Sequence, residues 1–158
     1  MLRIGLGRDL HRLVPGRHFL LAGVEIPCEK GGLGHSDADT LAHAVIDALL
    51  GAAGIGDIGE FFPDTDPAYK DADSMLLLKR TFARIQSGGW RVVNVDCVVT
   101  CETPKIFPYR EKIREALAEA LKMDADAIMV KGKTNEGIGA IGQGNAVEVL
   151  AVCLLESI

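Results

Sequence analysis

Ala146-Val147-Glu148-Val149-Leu150-Ala151-Val152-Cys153-Leu154-Leu155 is the stretch on which the fold turns. It is apolar on both parities, so neither a period of 2 nor one of 3.6 separates strand from helix. The β-branched valines at 147, 149 and 152 favour a buried strand, where a branched side chain packs well on the pleated surface. The other end of the chain reads the same way: Arg3 to Leu13 sets Ile4, Leu6 and Arg8 on one parity and Asp9 and His11 on the other.

Working inward, Phe19 to Ile26 is a second β segment with a turn or bulge at Gly23, stopped by Pro27. The glycine-rich segment from Glu29 to Gly34 reads as a loop. Ser36 with Asp39 three residues on resembles a capping box, which predicts a helix to about Ala53. Leu41, Val45, Ala48, Leu49 and Ala52 share one arc of that helix, and Asp39, His43 and Asp47 line up at i, i+4, i+8 away from it. Gly54 to Asp73 lacks a clear period, and a loop that long in a small domain is often functional. Ser74 reads as the cap of a second amphipathic helix that ends at Gly88-Gly89. Trp90 to Cys101 is a valine-rich β segment broken by Pro104 and Pro108. Tyr109 to Lys122 is a third helix and Ile128 to Lys133 a short strand. With no repeat and no linker, residues 1–158 read as one α+β domain.

Of the 158 residues, 48% are hydrophobic and 25% charged, which supports a core without disulfides and excludes disorder for the bulk of the chain. Seventeen basic against 22 acidic residues give a net charge of −5, with no basic cluster longer than a pair, so neither nucleic acid nor an acidic membrane is an expected partner. The least charged stretch, Thr40 to Gly56, is too short for the roughly 20 apolar residues of a membrane span. No leader pattern precedes the first strand, and Cys28, Cys97, Cys101 and Cys153 form no CxxC pair. Reduced thiols in the cytoplasm are the expectation, with Cys97 and Cys101, on one strand parity, as packing residues.

Three groups of residues carry chemistry. Asp9-x-His11 on a strand puts both side chains on one face, and with His43 they make the Asp/His set that zinc takes in open catalytic sites. A chance tripeptide and a solvated helix histidine would look the same, because spacing alone does not bring residues 11 and 43 together. His35-Ser36, at the end of a glycine-rich loop and the start of a helix, offers free amides and a proton donor to an anion, or else only a cap and a loop residue. Lys131-Gly132-Lys133-Thr134-Asn135-Glu136-Gly137 joins cations, a hydroxyl and a carboxylate, a set able to hold phosphate directly and through Mg²⁺; a solvated turn has the same composition. The glycines at 137, 139, 142 and 144 match neither GxGxxG nor GxxxxGK[ST], so a nucleotide P-loop is excluded.

In order along the chain, Gly7 to His11, Gly23 to Pro27, His35-Ser36-Asp37-Ala38-Asp39, His43 to Asp47, Gly56 to Gly59, Phe62 to Asp66, Asn94-x-Asp96, Pro104-Lys105 and Lys131 to Glu136 resemble the 2-C-methyl-D-erythritol 2,4-cyclodiphosphate synthases. The resemblance covers essentially the whole chain. It implies an α+β subunit with a mixed sheet covered by helices, assembled as a homotrimer with active sites between subunits. It also implies a cytidine diphosphate-linked substrate whose 2-phosphate closes a cyclic diphosphate and expels CMP, in the non-mevalonate route to isoprenoid precursors.

Residue roles follow from the same resemblance. Asp9, His11 and His43 would bind Zn²⁺, and Glu136 would hold Mg²⁺ or Mn²⁺. His35 and Thr134 would stabilise the transition state. Substrate contacts would come from Asp9, Leu10 and His11, from His35 and Ser36, from Asp57, Ile58 and Gly59, and from Phe62, Pro63, Asp64, Thr65 and Asp66. Cys101, Glu102, Thr103, Pro104, Lys105, Ile106 and Phe107 would form the cytidine pocket with Lys133, and Thr134, Asn135 and Glu136 would complete the phosphate contacts. The chain departs from the family pattern at Lys133-Thr134-Asn135, where threonines often run together, and at Ala140 and Gln143, which implies weakened binding of an isoprenoid diphosphate near the trimer axis. A non-catalytic module on this fold and a zinc-dependent phosphohydrolase are the competing readings.

Overall fold

The computed structural model describes residues 1–158, and the C-terminal stretch is its central strand. This strand, β7 (Ala146–Ser157), pairs antiparallel on one side with β1 (Leu2–Pro15), Leu6 opposite Val152 and His11 opposite Val147. On its other side it pairs antiparallel with β5 (Trp90–Thr100). β6 (Ile128–Lys133) runs parallel to β5, and β4 (Lys30–Leu33) pairs with the end of β1, giving the mixed order β4-β1-β7-β5-β6. β2 (Phe19–Leu21) and β3 (Val24–Ile26) form a separate hairpin turned at Ala22-Gly23. A parallel β5–β6 pair needs a crossover, and α4 (Arg110–Leu121) supplies it.

The helices cover one face. α1 (Thr40–Ala53) lies across β1 and β7 and against α3 (Ser74–Ser87), which in turn touches α4. α1 is buried on nearly every side, Asp47 and Gly51 apart, so it is a core helix where the periodicity predicts a single apolar stripe. Its close seat on β1 depends on missing side chains. A Cβ at Gly5 would stand 1.9 Å from Ala48 O, and one at Gly7 1.9 Å from Ala44 O.

Several expected boundaries move. Lys30 to Leu33 is a strand, not a loop. Gly31 and Gly32 suit it because a Cβ at Gly31 would strike Arg17 O at 2.2 Å and one at Gly32 would strike Ala38 Cβ at 2.8 Å. The cap of α1 is Asp39, whose side chain accepts from Ala42 N, and Ser36 lies outside the helix; Ala38, at φ 58°, breaks the backbone between them. Asp73 caps α3 and Ser74 is its first residue. The long loop contains a short helix, α2 (Ile58–Phe61), and a 3₁₀ turn at Pro67–Tyr69. β7 is buried on one face only. Leu150 and Val152 join Ile4, Leu6 and Leu10 on an open sheet face opposite the helices.

Cys97, Cys101 and Cys153 are buried unpaired thiols, and burial pushes them up to about 12, 12 and 11. They pack and do not react at neutral pH.

Candidate active site

Asp9 and His11 share the helix-facing side of β1, and the close approach of α1 at Gly5 and Gly7 sets His43 beside them. Asp9 Oδ2 lies 2.9 Å from His11 Nδ1 and 3.1 Å from His43 Nδ1, and one ligand atom from each of the three residues falls within 4.8 Å of the others. Ligands about 2.0–2.1 Å from a tetrahedral zinc stand roughly 3.3 Å apart, so the cluster has the spacing of a metal site.

Its electrostatics point the same way. Burial pushes the Asp9 carboxyl up, but hydrogen bonds and charge from His11 and His43 outweigh it and bring it down to about 2. Burial opposes charge on His43, yet its bond to Asp9 and the nearby charges of Asp9, Asp39 and Asp37 hold it above the usual imidazole range. A buried and a half-buried imidazole against one carboxylate form a site that favours a cation.

A cavity of about 400 Å³ opens over the cluster, lined by Gly34, His35, Ser36, Ile58, Gly59, Phe62, Asp64 and Tyr69 besides the three ligands. Asp57 caps α2 by accepting from Glu60 N, and Asp47 Oδ1 accepts from Ile58 N at 3.2 Å, so the turn 57–59 is tied to α1. Pro63, Thr65 and Asp66 continue the same loop, where Asp66 caps the 3₁₀ turn and its carbonyl lies 3.2 Å from His35 Nε2. Leu10 faces the other way, onto the open sheet face. The expected helix N-terminal anion site is corrected: Asp39 is buried against the first turn of α1 and accepts from Ala22 N, Gly23 N and Ala42 N. What remains for an anion at this place is the side chains of His35 and Ser36.

The other half of the expected site lies elsewhere in the chain. Cys101, Glu102, Pro104, Lys105, Ile106 and Phe107, with Lys133 and Thr134, line a second cavity of about 260 Å³, and Thr103 sits beside Pro104 in a neighbouring one. Asn135 N donates to Glu102 Oε1 at 2.7 Å, and Thr134 Oγ1 donates to Glu136 Oε1 at 2.7 Å. β1 and β6 are three steps apart in the sheet, about 14 Å at the usual strand spacing, so the two clusters lie apart on the sheet.

The contacts that three residues make at the cluster escape a reading of the sequence. Ser74 Oγ lies 2.7 Å from His43 Nε2, Asp37 accepts from Ser74, and Thr40 Oγ1 is 3.3 Å from His11 Nδ1. In the sequence Ser74 stands out only as a helix-start residue and Asp37 only within a motif, and Asp47 by its alignment with His43 on one helix stripe.

A mixed α+β fold with an Asp/His/His cluster able to hold a metal ion, opening into one of two cavities, is the kind of arrangement a metal-assisted enzyme uses. The YgbB family model matches residues 2–156. The chain is 54% identical to the 2-C-methyl-D-erythritol 2,4-cyclodiphosphate synthase of Treponema denticola, over 98% of this chain and 96% of that protein. It is 55% identical to that of Chloroherpeton thalassium, over 99% and 100%. Among solved structures, a CDP-bound 2C-methyl-D-erythritol-2,4-cyclodiphosphate synthase superposes with a TM-score of 0.90 at 39% identity, covering 98% of this chain and 100% of that one. The bifunctional IspDF of Campylobacter jejuni gives 0.96 at 39% identity, with all of this chain matching 43% of that longer one. The chain belongs to the YgbB family, the 2-C-methyl-D-erythritol 2,4-cyclodiphosphate synthases.

Proposed function

We infer that the chain closes 4-diphosphocytidyl-2-C-methyl-D-erythritol 2-phosphate to 2-C-methyl-D-erythritol 2,4-cyclodiphosphate, releasing CMP, in the non-mevalonate pathway. The reaction is intramolecular. An oxygen of the 2-phosphate attacks the β-phosphorus, a new P–O bond forms, and the bond from that phosphorus to the bridging oxygen breaks as CMP leaves with it. The nucleophile is already an anion near neutral pH, so no Ser-His-Asp base is needed. What the protein supplies is alignment and neutralisation of charge.

The observation that carries this reading is the Asp9–His11–His43 cluster beneath a cavity bearing His35 and Ser36, in a chain matched over nearly its full length by synthases. Asp9, His11 and His43 would hold Zn²⁺ and Glu136 would hold Mg²⁺ or Mn²⁺. Bound, these cations supply positive charge to the phosphate oxygens. His35 would donate from the loop after β4 to a phosphoryl oxygen, and Thr134 would donate its hydroxyl from the loop after β6. Ser36 adds a second hydroxyl beside His35. Asp57 to Gly59 and Phe62 to Asp66 would hold the methylerythritol part. Cys101 to Phe107 and Lys133 receive the cytidine.

The separation of the two cavities supports a site built from two subunits of a homotrimer, each lending one cluster. The open sheet face supports the same assembly, with Ile4 74%, Leu6 65% and Val152 42% exposed in the single chain. No helix is long and apolar enough to cross a membrane, and the unpaired thiols accord with a cytoplasmic location.

Incubating the purified protein with the diphosphocytidyl substrate and following phosphorus NMR is the test. Cyclic diphosphate with stoichiometric CMP is expected; linear hydrolysis products would make the protein a phosphohydrolase, and no turnover a binding module. In parallel, metal analysis should give about one zinc per chain, lost in His43→Ala.

A further inference from the structure

His43 meets Asp9 through Nδ1, and behind it a second set of contacts holds Nε2. Nε2 lies 2.7 Å from Ser74 Oγ and 3.1 Å from Ser36 Oγ. The Ser74 hydroxyl is in close contact with Asp37 Oδ1, and the Ser74 amide donates to Asp37 Oδ2 at 3.0 Å. Asp37 Oδ1 also accepts from Asp39 N at 3.2 Å.

The direction of each bond follows from counting hydrogens. Every partner of Asp37 is an N–H or O–H, so the carboxylate acts as acceptor throughout and takes the single hydroxyl hydrogen of Ser74. Ser74 Oγ then has only lone pairs to offer, so His43 must donate to it from Nε2. Asp9 Oδ2, 3.1 Å from Nδ1, is an acceptor as well, so Nδ1 carries the proton that a cation displaces and Nε2 the one that stays. We propose that Asp37 and Ser74 are positioning residues which lock His43 as its Nε2–H tautomer and so present Nδ1 as a ready metal donor.

The arrangement spans three parts of the fold, with Asp37 before α1, His43 on α1 and Ser74 at the start of α3. Ser74 is fully buried, so water offers its hydroxyl no alternative partner. Ser36 Oγ, which accepts from Ala38 N at 3.4 Å, lies 3.1 Å from Nε2 and is a second, weaker acceptor for its hydrogen. The proposal rests on the metal reading of Asp9, His11 and His43, and partners of this kind tune a ligand's affinity by about 10–100-fold.

The experiment uses full-length protein in two measurements. In metal-depleted, ¹⁵N-histidine-labelled wild type held well above the imidazole titration range, two-bond ¹⁵N–¹H spectra report the tautomer of His43, assigned by comparison with His43→Gln. Zinc affinity is measured by competition with a chromophoric chelator. Neutral His43 should be predominantly Nε2–H. Ser74→Ala and Asp37→Asn should each weaken zinc binding about 10–100-fold and raise the Nδ1–H population, and Ser74→Thr should restore both. Asp37→Asn is the sharper variant, because its amide places hydrogens where Ser74 now sends its own. An Nδ1–H tautomer in the wild type overturns the proposal without any variant having to fold. So do Ser74→Ala and Asp37→Asn proteins that bind zinc as tightly as wild type. A wild type that binds no zinc would instead remove the metal reading, and the tautomer measurement would still decide whether His43 is locked.

Discussion

Thr134 and Glu136 show how far single side chains carry the proposed chemistry. Thr134 Oγ1 donates to Glu136 Oε1 at 2.7 Å, a contact that the proposed cation and phosphate would have to replace. Thr134→Val keeps the volume and removes the donor, and losing one donor at a developing charge costs on the order of 10²–10³ in kcat. Single-turnover CMP release should fall by that amount with zinc content unchanged. Glu136→Ala should slow the same step and recover in part at high Mg²⁺ or Mn²⁺, since substrate phosphates supply most of that ion's ligands. Wild-type rates in both variants would reduce this loop to a turn. At this scale the sequence was legible unevenly. His11 and His43, 32 positions apart, form one cluster only because α1 is seated on β1, and no local pattern states that; the resemblance did. Ser74 was visible as a helix-start residue, but its contact with His43 depends on how α1 and α3 pack.

α1 owes its place to two glycines on the strand beneath it. Gly7→Ala would set a Cβ 1.9 Å from Ala44 O and 2.6 Å from Ala48 N, both backbone atoms that cannot swing aside. The helix has to lift, and overpacking of this kind costs about 1–3 kcal/mol. Lifting also draws His43 from Asp9, so zinc affinity should fall in Gly7→Ala while the three ligands remain in the sequence; unchanged affinity in a chelator competition would show that the seat does not set the site. Asp39 ties the other end of α1 to the β2–β3 hairpin by accepting from Ala22 N and Gly23 N as well as Ala42 N. Asp39→Ala removes a cap worth about 1 kcal/mol and strands partly buried amides, each at about 1–3 kcal/mol. A loss of about 3 kcal/mol, roughly 6–12 °C in Tm, is expected by thermal melting. Elements with a clear period or strong punctuation, such as β6, α3 and β5, lie within about a residue of their sequence reading. β4 was hidden because Gly31 and Gly32 look like loop, although their missing side chains are what let the strand press against Arg17 and Ala38. The α1 start was misplaced because Ser36, Asp37 and Asp39 are all capping types and only the left-handed turn at Ala38 chooses among them.

For the whole molecule, the question is whether one chain makes a complete site. The Asp9–His11–His43 cluster rests on β1 and α1, and the second cavity on the ends of β5 and β6, with β7 between the two halves. The face left open by the helices is the natural place for assembly. Leu6 and Val152 stand opposite each other across β1 and β7, with Ile4 and Leu10 beside them, and Arg8 is neutralised within the face by Glu148 at 2.7 Å. Light scattering of the wild type should give about three times 16.9 kDa. Leu6→Arg places a charge in the middle of that apolar face without touching the core or the ligands. The variant should remain folded and bind zinc normally, because Asp9, His11 and His43 come from one chain, yet run as a monomer and lose turnover. Mixing it with an excess of His43→Ala subunits should not restore activity if Leu6→Arg abolishes assembly. A Leu6→Arg monomer with wild-type turnover would mean that a single chain carries the whole site and that its loops close the distance between the two cavities.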